Sequence, residues 1–220
     1  MSTSFVYVSG DDDTGLVTIK TPVENQGTMK QDQQILEEME EKVKHLVENE
    51  KFKETIPLVE MIIKTKTSTL GEMHSQALRF RYRLGLYYKK QNEFQQAMEI
   101  LEDVATKQTE TLGANDEETF ITRYNLAVCY FMKSHCQKAI PIFEDIVEKQ
   151  TAKWGENHET VLRSLHNLAR CFYKEKQYQK AKTILEDLVE KEISTLGEND
   201  QLTIASKLWL ENCKKRQNET

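Results

Sequence analysis

Thr69-Leu70-Gly71-Glu72-Met73-His74 is the stretch on which the fold turns, because the chain writes it again as Thr111-Leu112-Gly113-Ala114-Asn115-Asp116, Lys153-Trp154-Gly155-Glu156-Asn157-His158 and Thr195-Leu196-Gly197-Glu198-Asn199-Asp200. The glycines at 71, 113, 155 and 197 follow one another at a constant 42 residues. A fixed period between 20 and 50 residues marks a solenoid, in which each unit buries its apolar face only against its neighbours. A glycine ending one helix, followed by Asp or Asn able to start the next, predicts that the motif is a stop and a start rather than a site. His74 and His158 share a column with Asp116 and Asp200, and that alternation argues against metal-ligating or catalytic histidines.

Working outward from the motif, each period holds two helical patterns with small residues in register. Gly85, Ala127 and Ala169 follow Leu84, Leu126 and Leu168 and precede Tyr88, Tyr130 and Phe172 by three. In the second pattern Ala97, Ala139 and Ala181 precede Leu101, Phe143 and Leu185 by four. Two helices that cross closely need small residues at the crossing and large apolar ones beside it. The predicted class is all-α, a right-handed α-solenoid of antiparallel helix pairs.

Subtraction of the period sets the expected organisation. Residues 1–29 lack a helical period and read as a mobile or extended tail, with Phe5-Val6-Tyr7-Val8 and Leu16-Val17-Thr18-Ile19 able to form only a marginal hairpin. The array is expected over 30–216: a degenerate first repeat at 30–70, full repeats at 71–112, 113–154 and 155–196, a capping helix at 197–216, and a short tail at 217–220. Glu211 stands in the small-residue column, as suits a last helix with no partner behind it.

Composition narrows the function classes. With 36 Asp and Glu against 30 Lys and Arg, a net charge of −6 argues against a general nucleic-acid binder, which is usually basic. No apolar run approaches the roughly 18 residues of a membrane helix, and Met1-Ser2-Thr3-Ser4 opens no signal peptide or myristoylation motif. A soluble cytoplasmic protein is expected. Cys129, Cys171 and Cys213 share the period while Cys136 stands outside it. Equivalent positions in stacked helix pairs lie beyond disulfide reach, so the four are read as small buried thiols. No nucleophile and base pair, phosphate loop or metal spacing stands out, so no enzyme, metal or cofactor is expected.

The columns Leu84-Gly85-Tyr88-Phe94-Ala97, Leu126-Ala127-Tyr130-Ala139 and Leu168-Ala169-Phe172-Tyr178-Ala181 resemble the tetratricopeptide repeat. The 42-residue period, Asn125-Leu126-Ala127, Asn167-Leu168-Ala169 and Ala139-Ile140-Pro141 look like its kinesin light chain type. The resemblance covers about 30–215 and implies a protein-binding adaptor whose first helices line a concave groove. It assigns to that groove Arg79, Tyr82, Leu86, Lys89 and Lys90, then Ile121, Tyr124, Val128, Phe131 and Met132, then Arg163, His166, Arg170, Tyr173 and Lys174. The last helix would add Leu208, Asn212, Lys215 and Arg216. These columns hold cations and no carboxylate, whereas the second helices are acidic, so an acidic chain would carry a basic, aromatic trough. Leu86, Val128 and Arg170 follow the small residue where co-chaperones of the family carry a carboxylate clamp, so that clamp is not assembled. Residues 31–50 are too short for the coiled coil that joins kinesin light chains to their motor, which argues against a motor subunit.

The expected ligand is an extended acidic peptide of a protein partner, with arginines pairing its carboxylates and Tyr82, Tyr124 and Tyr173 taking an aromatic or apolar anchor. Phosphate or RNA in the same trough, or a role as an assembly module in a larger complex, are the alternatives. The tail, with Phe5, Tyr7 and Asp11-Asp12-Asp13, has the character to occupy the trough in the partner's absence.

Overall fold

The computed structural model describes residues 25–218, with side chains described from 33 to 217. Of the tail expected over residues 1–29, residues 1–24, with the hairpin, lie outside the described residues, and 25–29 belong to the first helix. Contacts divide the chain into Met1–Glu38 and Met39–Thr220. In the first unit, Gln33 and Gln34 donate to Glu37 and Glu38 one turn ahead, and Ile35 is exposed.

The described residues form only helices. They are α1 (Asn25–Glu48), α2 (Phe52–Leu70), α3 (Ser75–Lys90), α4 (Phe94–Thr111), α5 (Glu117–Met132), α6 (Cys136–Trp154), α7 (Glu159–Lys174), α8 (Tyr178–Thr195) and α9 (Gln201–Asn218). Helix α1 begins at Asn25, ahead of the Met29 at which the apolar pattern starts. Backbone hydrogen bonding carries a helix past the segment that packs, so a pattern of burial under-reports the helix that contains it.

In the second unit, from α2 onward, each helix packs on the next in sequence, and the first helices α3, α5, α7 and α9 also touch one another in turn. The second helices α4, α6 and α8 do not. An array closer on one side bends toward that side, so the first helices lie on the inside of the curve. The unit is an all-α helical repeat solenoid.

The crossings are as tight as the small columns predict. A Cβ on Gly85 would sit 2.8 Å from Cγ and Cδ2 of Leu101. Ala127, Ala169, Ala97, Ala139 and Ala181 are sealed from solvent together with Leu101, Phe143 and Leu185. Cys129, Cys136, Cys171 and Cys213 are buried and free, as expected.

The repeated motif works as punctuation with one refinement. Gly71 and Gly155 end α2 and α6 at φ 92°, ψ 156° and φ 87°, ψ 158°, which is not the compact left-handed helical region but an extended one essentially reserved for glycine. Each glycine carbonyl then accepts the N–H of the residue three ahead, at His74, Asp116, His158 and Asp200. That residue caps the next helix: Asp116 and Asp200 accept the N–H of Glu118 and Leu202 at 2.8 Å, and the Nδ1 atoms of His74 and His158 accept those of Gln76 and Thr160. The histidines are caps, which explains why they alternate with aspartate. Within each repeat the turn is made differently, by Glu50, Asn92, Ser134 and Lys176 at φ 54° to 62°.

Two changes separate backbone from packing. A Cβ on Gly155 would meet nothing within 4 Å, so Gly155→Ala is expected to destabilise by about 1–3 kcal/mol through its backbone alone. Lys176→Gly relieves a left-handed turn and should stabilise by up to about 1 kcal/mol. Thermal unfolding of the two variants in parallel reads both signs.

Candidate functional site

The groove residues named from the sequence sit along the seam where successive first helices meet, and most of them reach across it. Asn125 on α5 donates through Nδ2 to the Tyr82 hydroxyl on α3 at 3.1 Å and to the Ile121 carbonyl at 2.9 Å. Its Oδ1 accepts from Lys89 Nζ at 2.5 Å. One repeat on, Asn167 donates to the Tyr124 hydroxyl at 2.7 Å and the Arg163 carbonyl at 3.2 Å, and accepts from Arg170 Nη1 at 3.1 Å. The same rung is thus built twice, each time with a cation attached. Burial raises the pKa of Tyr82 and Tyr124 and lowers that of Lys89.

Beyond these rungs the seam stacks cations on rings. Lys174 Nζ lies 4.0 Å and the Arg170 guanidinium 4.5 Å from the centre of the Phe131 ring. Arg170 also lies 5.5 Å from the ring of Trp209, which packs edge-on against Tyr173 at 5.0 Å. Lys174 donates to the Phe131 carbonyl at 3.1 Å, and Arg170 Nε is buried without an acceptor. Cations over ring faces keep their charge while shedding water.

Several expectations need correction at the level of single side chains. Phe131 is buried at 4% exposure and His166 at 6%, so neither offers its face to a partner. Tyr82 and Tyr124 are half-buried and bridge repeats, and Tyr173 stands between Tyr178 and Trp209; all three are less open as pockets than expected. Arg163 is exposed but bound to Glu159 on its own helix at 2.6 Å. Leu86 and Val128 are half-buried, and Arg79 is exposed. The open apolar positions of the inner columns are Ile121, Met132 and Leu208.

The ion pairs fall elsewhere. Arg81 and Lys107 pair with Asp103, Arg123 and Lys149 with Asp145, and Lys191 with Glu156 and Asp187. Among the described residues, Lys89, Arg170 and Lys174 form no salt bridge. A depression of about 340 Å³ between α4, α5 and α6, lined by Glu102, Glu110 and Arg123, lies apart from this seam.

A buried polar chain closes the far end, and nothing in the columns announced it. Ser206 on α9, wholly buried, donates to Glu192 Oε1 on α8 at 3.1 Å and contacts His166 Nδ1 on α7 at 2.8 Å. The three residue types match a hydrolytic triad, but serine stands in the middle where the imidazole should be, and it is sealed from solvent. Burial chiefly, with the Asp200 charge adding to it against the Ser206 bond, pushes the Glu192 carboxyl up to about 7. Burial and the Arg170 charge push His166 down to about 4. No group of three or more His, Cys, Asp or Glu among the described residues could hold a metal ion, and no described helix is long and apolar enough to cross a membrane.

The tetratricopeptide repeat profile matches residues 76–152, and a second profile of the same repeat matches 163–192. These are tetratricopeptide repeats. Two crystal structures of kinesin light chain-like, nearly identical repeats from Podosopora anserina superpose with TM-scores of 0.73 and 0.72 at 26% identity, covering 84% of this chain and 87% of that one. BtubC (BKLC) from P. vanneervenii shares the fold at a TM-score of 0.60 and 13% identity, over 83% of this chain and 80% of that one. No curated protein matches the sequence. The repeats are of the kinesin light chain-like type, and an array of this kind is a scaffold for protein–protein interaction.

Glu192 and His166 carry opposite linkage. With its pKa raised from 4.5 to about 7, Glu192 stabilises the fold at low pH and loses that contribution as pH climbs through that window; His166, lowered from 6.5 to about 4, loses its own as pH falls through the same range. The two nearly cancel between pH 4.5 and 6.5. Glu192→Gln should be more stable than the parent at pH 8, by at most about 3 kcal/mol less the cost of burying an amide N–H where Oε2 has no partner, and its advantage over the parent should grow as pH rises from about 4.5 to about 7. Urea unfolding across that range measures both. Gln150, one repeat earlier, already accepts from Ser164 at 3.0 Å, so the replacement has a precedent in the fold.

Proposed function

We propose that the protein is a cytoplasmic adaptor whose first-helix groove binds an extended acidic segment of a partner protein. Its array runs from about residue 30 to 216, and it performs no catalysis. The observation that carries the reading is the contrast in how cations are held. On the flanks, Arg81, Arg123, Lys107, Lys149 and Lys191 are neutralised by carboxylates of the chain itself. Along the groove Arg163 pairs with Glu159 of its own helix, but Lys89, Arg170 and Lys174 are fixed by amide oxygens, a backbone carbonyl and aromatic rings. They are positioned but not discharged. A partner carboxylate arriving there displaces no internal one, so the encounter is steered by charge and the pairing is not lost to competition. Exposed Ile121, Met132 and Leu208 give the partner's apolar side chains somewhere to rest.

Lys89→Gln, Arg170→Gln and Lys174→Gln together keep the amide and ring contacts close to their present size while removing three charges. Captured from lysate, the partner set of this variant is expected to lose its acidic members. The control variant Lys149→Gln and Lys191→Gln, altered on the flanks, should retain them. A set unchanged by the groove variant overturns the proposal, and so does equal loss in both.

A further inference from the structure

The two rungs of the groove say more about the ligand than its sign. Lys89 and Arg170 can only donate, so the atom each meets on Asn125 or Asn167 must be the amide oxygen. The Ile121 and Arg163 carbonyls can only accept, so they take one N–H of each amide. The second N–H goes to the tyrosine hydroxyl, which therefore serves as an acceptor. Each hydroxyl has one proton left, with no acceptor for it among the described residues. Tyr82 and Tyr124 thus hold spare O–H donors, each beside a cation, at the same place in consecutive repeats.

A ligand that satisfies both must present acceptors at the spacing of neighbouring helices, roughly 8–10 Å. A β-strand returns to the same side every two residues, at about 7 Å, which is too short. A polyproline II segment returns every three residues, at about 9 Å, and leaves its own carbonyls unpaired to accept as well. An α-helix reaches about 10 Å only after seven residues and has its carbonyls occupied internally. We propose that the groove takes a partner segment in the polyproline II conformation bearing a carboxylate at every third residue, read by the Tyr82–Asn125 and Tyr124–Asn167 rungs. This rests on the groove reading above and adds to it a backbone conformation and a register.

The test uses three fluorescein-labelled peptides of equal charge: three Glu-Pro-Pro units, glutamates at every second residue in a Ser and Thr background, and glutamates at every seventh in an alanine-rich helix. Fluorescence anisotropy with the whole chain should show the first binding about 5-fold or more tighter than the others, a difference of about 1 kcal/mol. Tyr82→Phe with Tyr124→Phe, which keeps the rings but removes the donors along with their bonds from Asn125 and Asn167, should level the three affinities at a temperature where circular dichroism shows the variant still folded. Lys89→Gln with Arg170→Gln should weaken all three alike. If spacing does not matter but the cation variant still weakens binding, the register is wrong and the groove stands. If no peptide binds and the cation variant changes nothing, both fail; a preference for either other spacing, or one that survives the tyrosine variants, overturns the register alone.

Discussion

Everything in the array depends on how closely two helices can cross. At Gly85 the opposing Leu101 side chain occupies the place a Cβ would take, and at Ala127 and Ala169 the crossings to Phe143 and Leu185 are sealed. A larger residue at any of these places would push a second helix outward, and the next first helix with it, because each element leans on the one before. The cost of overpacking, roughly 1–3 kcal/mol, would be felt as a change of pitch as well as of stability. The rungs between Tyr82 and Asn125 and between Tyr124 and Asn167 close only because the crossings fix where the first helices stand.

The seam between repeats is less uniform than the seam within them. One buried column reads Lys66, Gln108, Gln150 and Glu192, and it faces another that reads Phe80, Thr122, Ser164 and Ser206. Each pairing finds its own solution. Lys66 lies 5.2 Å from the centre of the Phe80 ring and pairs with Glu40, Gln150 and Glu192 accept from serine, and Gln108 leaves its amide oxygen without a partner. Buried polar groups are costly unless paired, so this column is where the repeats differ in cohesion although their helices are alike.

The period, the helix pairs, the small columns and the buried cysteines were legible in the sequence because they express backbone geometry, which repeats every 42 residues. The inner face was legible as a set of columns but not as a surface. Whether Phe131 is open depends on Arg170 and Lys174, one repeat away, and His166 is buried by its place beside Ser206 of the last helix. Such contacts belong to side-chain identities at a distance of one period, and one repeat read alone does not contain them. The left-handed turns at Glu50, Asn92, Ser134 and Lys176 were hidden for another reason: only Asn92 is a residue type that favours that conformation. The position is imposed by the helical hairpin rather than chosen by its occupant.

The glycine joints, finally, have a mechanical meaning. The Cβ positions of Gly71, Gly113, Gly155 and Gly197 look into open space, so the glycines themselves add no packing to the links between repeats. Stiffness along the array then comes from the helix faces behind the joints, from side chains beside them such as Trp154 on Phe120 and His158, and from the polar rungs across its inner side. A pull on the two ends loads those rungs first, since hydrogen bonds lengthen over a shorter range than apolar faces separate. The array therefore behaves as a spring that gives on its inner side, and a ligand laid across the rungs would hold it at a fixed length.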